Sequence, residues 1–210
     1  QLKSFIPDDK RSLYVLPKAT FLKSEIESDN QKENDKNSFD LFNFVLNDFI
    51  KTEESKVLLI TGTSGSGKSL FTKFLHDQLL SQFKDYLPFR GDLNSFKNPY
   101  GNILEEMYEK IELEDPEKEY MIKEKKVVFI LDGYDEILGN ENIFTSNNFK
   151  QFQNVKLIIS CRLDYLQKDK RIKDYLFYPG NMEEEDPTEE YVDQKFKKIQ
   201  IKNFGENEIK

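Results

Sequence analysis

Tryptophan is absent from this chain, and cysteine and histidine occur once each. The single thiol, Cys161, excludes an internal disulfide and fits a reducing compartment. One histidine and one cysteine are too few for a zinc-type centre, so neither His76 nor Cys161 is given a ligand role. No apolar run approaches the roughly 18 residues that cross a bilayer. The N-terminus lacks a basic-plus-apolar leader. Positive charge is in deficit: 31 Lys and Arg against 39 Asp and Glu give a net charge of −8. That balance argues against non-specific binding to nucleic acid or to an anionic membrane. A soluble cytoplasmic protein is the expectation.

What is present is enough for a sizeable core. The chain has 210 residues, 37% of them hydrophobic, with 18 Phe and 10 Tyr. That length fits one domain with trimmings. Residues 1–37 read as a lead-in segment, with an apolar stretch at Leu13–Leu16 and a polar loop over Glu27–Asn37. Ser38 is placed to cap a helix carrying Leu41, Phe42, Val45, Leu46, Phe49 and Ile50. Val57–Ile60, Val127–Leu131 and Val155–Ser160 are apolar, β-branched runs of the kind buried in parallel sheets. Phe196–Ile201 alternates as a fourth strand, and Tyr86–Phe89 is a short weak one that Pro88 confines to an edge or end. Pro99 is read as opening a helix with Ile103, Leu104, Met107, Tyr108 and Ile111 on its buried stripe. Glu112–Glu119 is read as a solvated acidic loop, and 181–190 as another. The alternation predicts an α/β fold: a mostly parallel central sheet flanked by helices, in three layers.

The chemistry concentrates at Gly62, Thr63, Ser64, Gly65, Ser66, Gly67, Lys68 and Ser69. This is a complete G-x-x-x-x-G-K-[ST] phosphate loop between a strand and a helix, as a P-loop NTPase fold requires. Glycine lets the loop backbone turn so that several N–H groups point inward. The helix that starts near Lys68 and runs through Leu70 adds the positive end of its dipole. Lys68 reaches the β- and γ-phosphates, and the Ser69 hydroxyl is a Mg2+ ligand. The expected ligand is therefore a nucleoside triphosphate with Mg2+: ATP, with GTP open.

Two further strand ends carry polar residues. Val127–Leu131 runs into Asp132-Gly133-Tyr134-Asp135-Glu136. An acid at the carboxyl end of a buried strand sits where open α/β sheets bind ligands, and Asp132 fits the metal-holding role. Glu136, then Asp135, are the candidates for orienting the attacking water. The alternative is that both are ordinary loop acids. Val155–Ser160 runs into Cys161-Arg162, where the arginine can contact a γ-phosphate. Its alternative is a surface pair with Asp164 or Asp169. Cys161 reads as a small buried filler.

Together these motifs resemble NACHT-type NTPases of the STAND signalling class. Asp132–Glu136 is similar to their extended Walker B motif, and Leu157–Arg162 to their sensor 1 segment. Asn98-Pro99, Asn147-Asn148 and Lys202-Asn203-Phe204 are similar too. The resemblance covers roughly residues 13–210. It implies a switch coupling nucleotide state to opening and self-association through domains outside this piece. Residues 38–210 would form its nucleotide-binding core, with 202–210 starting a further helical domain. By that resemblance Tyr14–Thr20 approach the base, Asp135 and Glu136 serve hydrolysis, and Arg162 senses phosphate. Leu163 departs from the proline common there, and residues 86–97 are less regular than the family's strand. Three rivals stay open: a nucleotide-binding scaffold without turnover, a mechanical AAA+ ATPase and a small-molecule kinase.

Overall fold

The computed structural model of the chain describes residues 16–22, 38–139, 141–167, 176–180 and 194–202. Its centre is one seven-stranded sheet. The strands are β1 (Lys18–Phe21), β2 (Phe39–Asp40), β3 (Val57–Gly62), β4 (Tyr86–Asp92), β5 (Lys126–Asp132), β6 (Asn154–Arg162) and β7 (Phe196–Ile201). Their order is β2-β1-β7-β3-β6-β5-β4. From β7 to β4 every pairing is parallel, while β1 is antiparallel to both β7 and β2.

The apolar runs form strands because both of their faces are covered. One face packs Val57, Leu59, Val127, Phe129, Leu131, Leu157 and Ile159 under helices α3 (Ile103–Lys110), α4 (Asp115–Glu124) and α5 (Ile143–Ser146). The other packs Leu58, Ile60, Val128, Ile130 and Ile158 against α1 (Leu41–Phe44) and α2 (Lys68–Gln82). Alternate residues thus enter opposite cores, the period-two consequence of the pleat. Each fully buried aliphatic side chain contributes about 1.5–3 kcal/mol, so these strands anchor whatever their ends carry. Cys161 lies within the first core, fully buried, as a filler would.

Several expectations need correction. Asp40, not Ser38, caps the first helix: its Oδ1 accepts from Asn43 N at 2.7 Å, because Phe39 and Asp40 pair with β1 first. Beyond Phe44 that helix continues as a π-helix over Val45–Ile50. β4 is a full seven-residue strand, paired with β5 along its length; it is an edge strand, so Pro88 costs no second ladder. Pro99 does not open α3, which starts at Ile103 after Asn102. Five of the eight residues of the acidic stretch at 112–119 belong to helix α4. A reciprocal capping box of Glu114 and Glu117, with Pro116 in the first turn, stabilises its start despite the charge density. β1 was not anticipated as a strand. Leu13–Val15, Glu27–Asn37, the acidic loop at 181–190 and residues 203–210 lie outside the described residues. Among the described residues no helix is long and apolar enough to cross a membrane.

Candidate functional site

Parallel strands deliver their carboxyl ends to one rim of the sheet, and there the polar residues gather. Gly62 ends β3 directly opposite Arg162 at the end of β6. Asp132 ends β5 opposite Asp92 at the end of β4. The three sequence motifs are therefore brought to one rim by strand register alone.

The loop after β3 turns at Gly65 (φ +76°) and Gly67 (φ +88°), both in the left-handed region that favours glycine. Gly62 has another reason: a Cβ there would collide with Ser66 Oγ. Gly67 caps α2 without a side-chain bond. The first N–H groups of that helix have no intrahelical partner, so they face the loop with the dipole's positive end. Gly65 through Leu70 line a depression of about 220 Å³. Lys68 Nζ donates to Gly62 O and Thr63 O, each at 2.9 Å, with Ser66 Oγ at 3.5 Å. Burial holds Lys68 below the ordinary lysine range and Arg162 adds to this, while the charges of Asp135 and Asp132 oppose it.

Asp132 is buried. Its Oδ1 accepts from Ser160 Oγ, and Ser160 Oγ in turn accepts from Gly133 N at 2.9 Å. Its Oδ2 lies 3.4 Å from Arg90 Nη2, which also meets Asp92 Oδ1 at 2.6 Å. Asp135 is paired with Arg162, not left free in its loop: Arg162 N donates to Oδ1 at 2.8 Å and Nε stands 3.0 Å from Oδ2. The alternative surface pairing of Arg162 with Asp164 is replaced by this one; Asp169 lies outside the described residues. Glu136 is exposed, and its Oε2 accepts from Asn94 Nδ2 at 2.6 Å. His76 is pulled below the usual histidine range by burial and stands 3.9 Å from Asp77.

Three residues here had no assigned role in the sequence: Arg90, Asn94 and Ser160. The position of Arg90 beside the carboxyl end of the weak Tyr86–Phe89 run was the one available signal. Nothing local marks Asn94; only the β4–β5 register brings it to Glu136. Of the stretch proposed near a base, Lys18–Thr20 lie in β1, with Ala19 opposite Ile201, and Tyr14 and Val15 are outside the described residues. Asn147 ties the segment after α5 to the start of α3: its Oδ1 accepts from Ile103 N and its Nδ2 donates to Pro99 O, each at 2.9 Å.

Chemically, this rim offers N–H donors and an ammonium to an anion. It also offers hard oxygen ligands, the Ser69 hydroxyl and the Asp132 carboxylate. Among the described residues no group of three His, Cys, Asp or Glu is placed to cage a metal. Mg2+ does not need such a cage, since it keeps several waters and takes one or two protein oxygens plus phosphate. The donor set thus fits that ion. No family model matches the chain, and no curated protein matches it significantly.

Proposed function

We propose that this rim is a nucleoside triphosphate site on a P-loop NTPase fold, that the nucleotide is ATP, and that slow Mg2+-dependent hydrolysis drives a NACHT-like conformational switch. One observation carries the reading. A glycine turn with an inward lysine, an acid and an arginine stand at the carboxyl ends of three adjacent strands, β3, β5 and β6. Ligands of open α/β sheets bind at such ends.

In this reading the loop N–H groups and Lys68 bind the phosphate tail. To do so, Lys68 exchanges its bonds with Gly62 O and Thr63 O for phosphate oxygens, so the ammonium is pre-aimed at the cost of two carbonyl contacts. Ser69 and Asp132 would hold the ion, with Ser160 fixing the Asp132 carboxylate. When bound, Mg2+ would supply charge neutralisation to the phosphate tail. Glu136, exposed and held by Asn94, would align the attacking water. Arg162 meets the terminal phosphate.

The scaffold reading is favoured by a different observation: Asp132 and Asp135 are both already engaged by protein cations. A labelled-ATP binding titration with Mg2+, followed by single-turnover phosphate release, separates the two. Binding with release is expected. Tight binding without release moves the conclusion to the scaffold, and no binding removes both.

A further inference from the structure

We infer that Asp135 is a positioning residue for Arg162 and not a group that activates water. The inference rests on the nucleotide site proposed above and divides the labour within its acidic pair.

The two acids are adjacent in sequence and differently placed. Gly133 (φ +84°) starts a single 3-10 turn over Tyr134–Glu136. That turn sends Asp135 toward the end of β6 and Glu136 toward the end of β4, where Asn94 receives it. The Asp135 side chain is 8% exposed. Each of its oxygens is committed to Arg162, one on the backbone N–H and one on Nε. A water-activating carboxylate must present an oxygen to the water. Glu136 is exposed and meets that condition; Asp135, its side chain 8% exposed and both oxygens on Arg162, does not.

The same contact makes sense as a clamp on the arginine. Asp135 holds the guanidinium by its inner nitrogen. Neither terminal nitrogen makes a hydrogen bond among the described residues, and the Arg162 side chain is 47% exposed. The pair of terminal nitrogens is the part of arginine that binds phosphate oxygens bidentately. Fixing Nε in advance removes much of the rotamer entropy that a long side chain would lose on binding. Arg162 lies opposite Gly62 and close enough to Lys68 for the two cations to repel, while the Asp135 charge offsets that repulsion. Asp135 therefore sets how strongly the site prefers a triphosphate over a diphosphate.

Fluorescent ATP and ADP, each with Mg2+, test this by affinity on the whole chain and on its Asp135→Asn, Arg162→Ala and doubly substituted forms. The parent should favour ATP by roughly tenfold. Either single substitution should erase that preference while ADP affinity stays within about twofold, and the double should be no worse than Arg162→Ala alone, as coupled residues require. Turnover at saturating ATP should fall less than about threefold in Asp135→Asn, against on the order of 100-fold in Glu136→Gln. Should Asp135→Asn not fold, Asp135→Glu takes its place and should restore part of the preference. Additive losses, an unchanged ATP preference, or a turnover loss in Asp135→Asn equal to that of Glu136→Gln overturn the inference. A parent that binds neither nucleotide overturns the site itself, which is a separate and recognisable failure.

Discussion

The two rims of this sheet both carry lysine beside backbone carbonyls, yet they are built for different ends. At the amino rim, Lys156 of β6 is buried, donates to Thr52 O and Ser55 O, and lies 5.2 Å from the centre of the Phe49 ring. Ser55 Oγ and Lys56 N reach across to Gln194 O and Lys195 O at 2.7 and 2.8 Å. The ammonium of Lys156 is covered by the segment that follows the π-helix, so its bonds join that segment to the sheet. At the carboxyl rim, Lys68 makes carbonyl contacts of the same kind, but it lines an open depression beside glycine turns and unspent helix N–H groups. A cation at a strand end is therefore not a site by itself. Open space and uncommitted donors around it make the difference.

Substitutions at the two rims should separate binding from stability. The largest effect is expected from Lys68→Ala, which removes the only cationic side chain of the loop. ATP affinity should fall on the order of 1000-fold, while the unfolding free energy moves by less than about 0.5 kcal/mol. Equal ATP binding by parent and variant would dissolve the contrast. Lys156→Ala is the converse. It leaves Thr52 O and Ser55 O without their donor and opens a gap against Phe49, for a loss of about 2–4 kcal/mol in urea unfolding with ATP affinity unchanged.

A smaller effect sharpens the same point through pH. Burial, with repulsion from Lys56, lowers Lys156 to about 8. In the unfolded chain a lysine titrates near 10.4. Between those values the unfolded state binds more protons, so stability should rise with pH from about 8 towards 10, by on the order of 1–2 kcal/mol. Above about 10 the trend should reverse, because burial holds Tyr108 up at about 12 while an unfolded tyrosine ionises near 10. Urea midpoints across that range test both signs, and Lys156→Met should flatten the rising limb. Smallest is Asp40→Ala. It deletes the cap of the first helix, three places along the sheet from β3, and should cost about 1 kcal/mol without touching nucleotide affinity.

β3, β5 and β6 were legible because continuous β-branched runs have few alternatives to a doubly covered strand. The glycine turn between β3 and α2 was legible because its spacing is local. β1 and β2 were not: four and two residues, with Phe21 half exposed, carry little periodic signal, and antiparallel pairing across the edge decides them. Helix α4 was hidden by its charge, since a capping box and a first-turn proline outweigh polarity only when read together. The partners of Asp135 and Glu136 could not be read at all. Arg162 and Asn94 lie 27 and 42 residues from their acids, and only register sets those pairs.

By itself, the sequence determined the buried strands, the glycine turn and the acids at the strand ends, because each depends on neighbours within a few residues. Tertiary structure alone decided that Asp135 faces an arginine and Glu136 an asparagine, that Arg90 leans on Asp132, and that Lys156 is spent while, among the described residues, Arg162 keeps its terminal nitrogens unbonded. The reason is that a side chain's remaining hydrogen-bonding capacity depends on what the far parts of the chain bring to it.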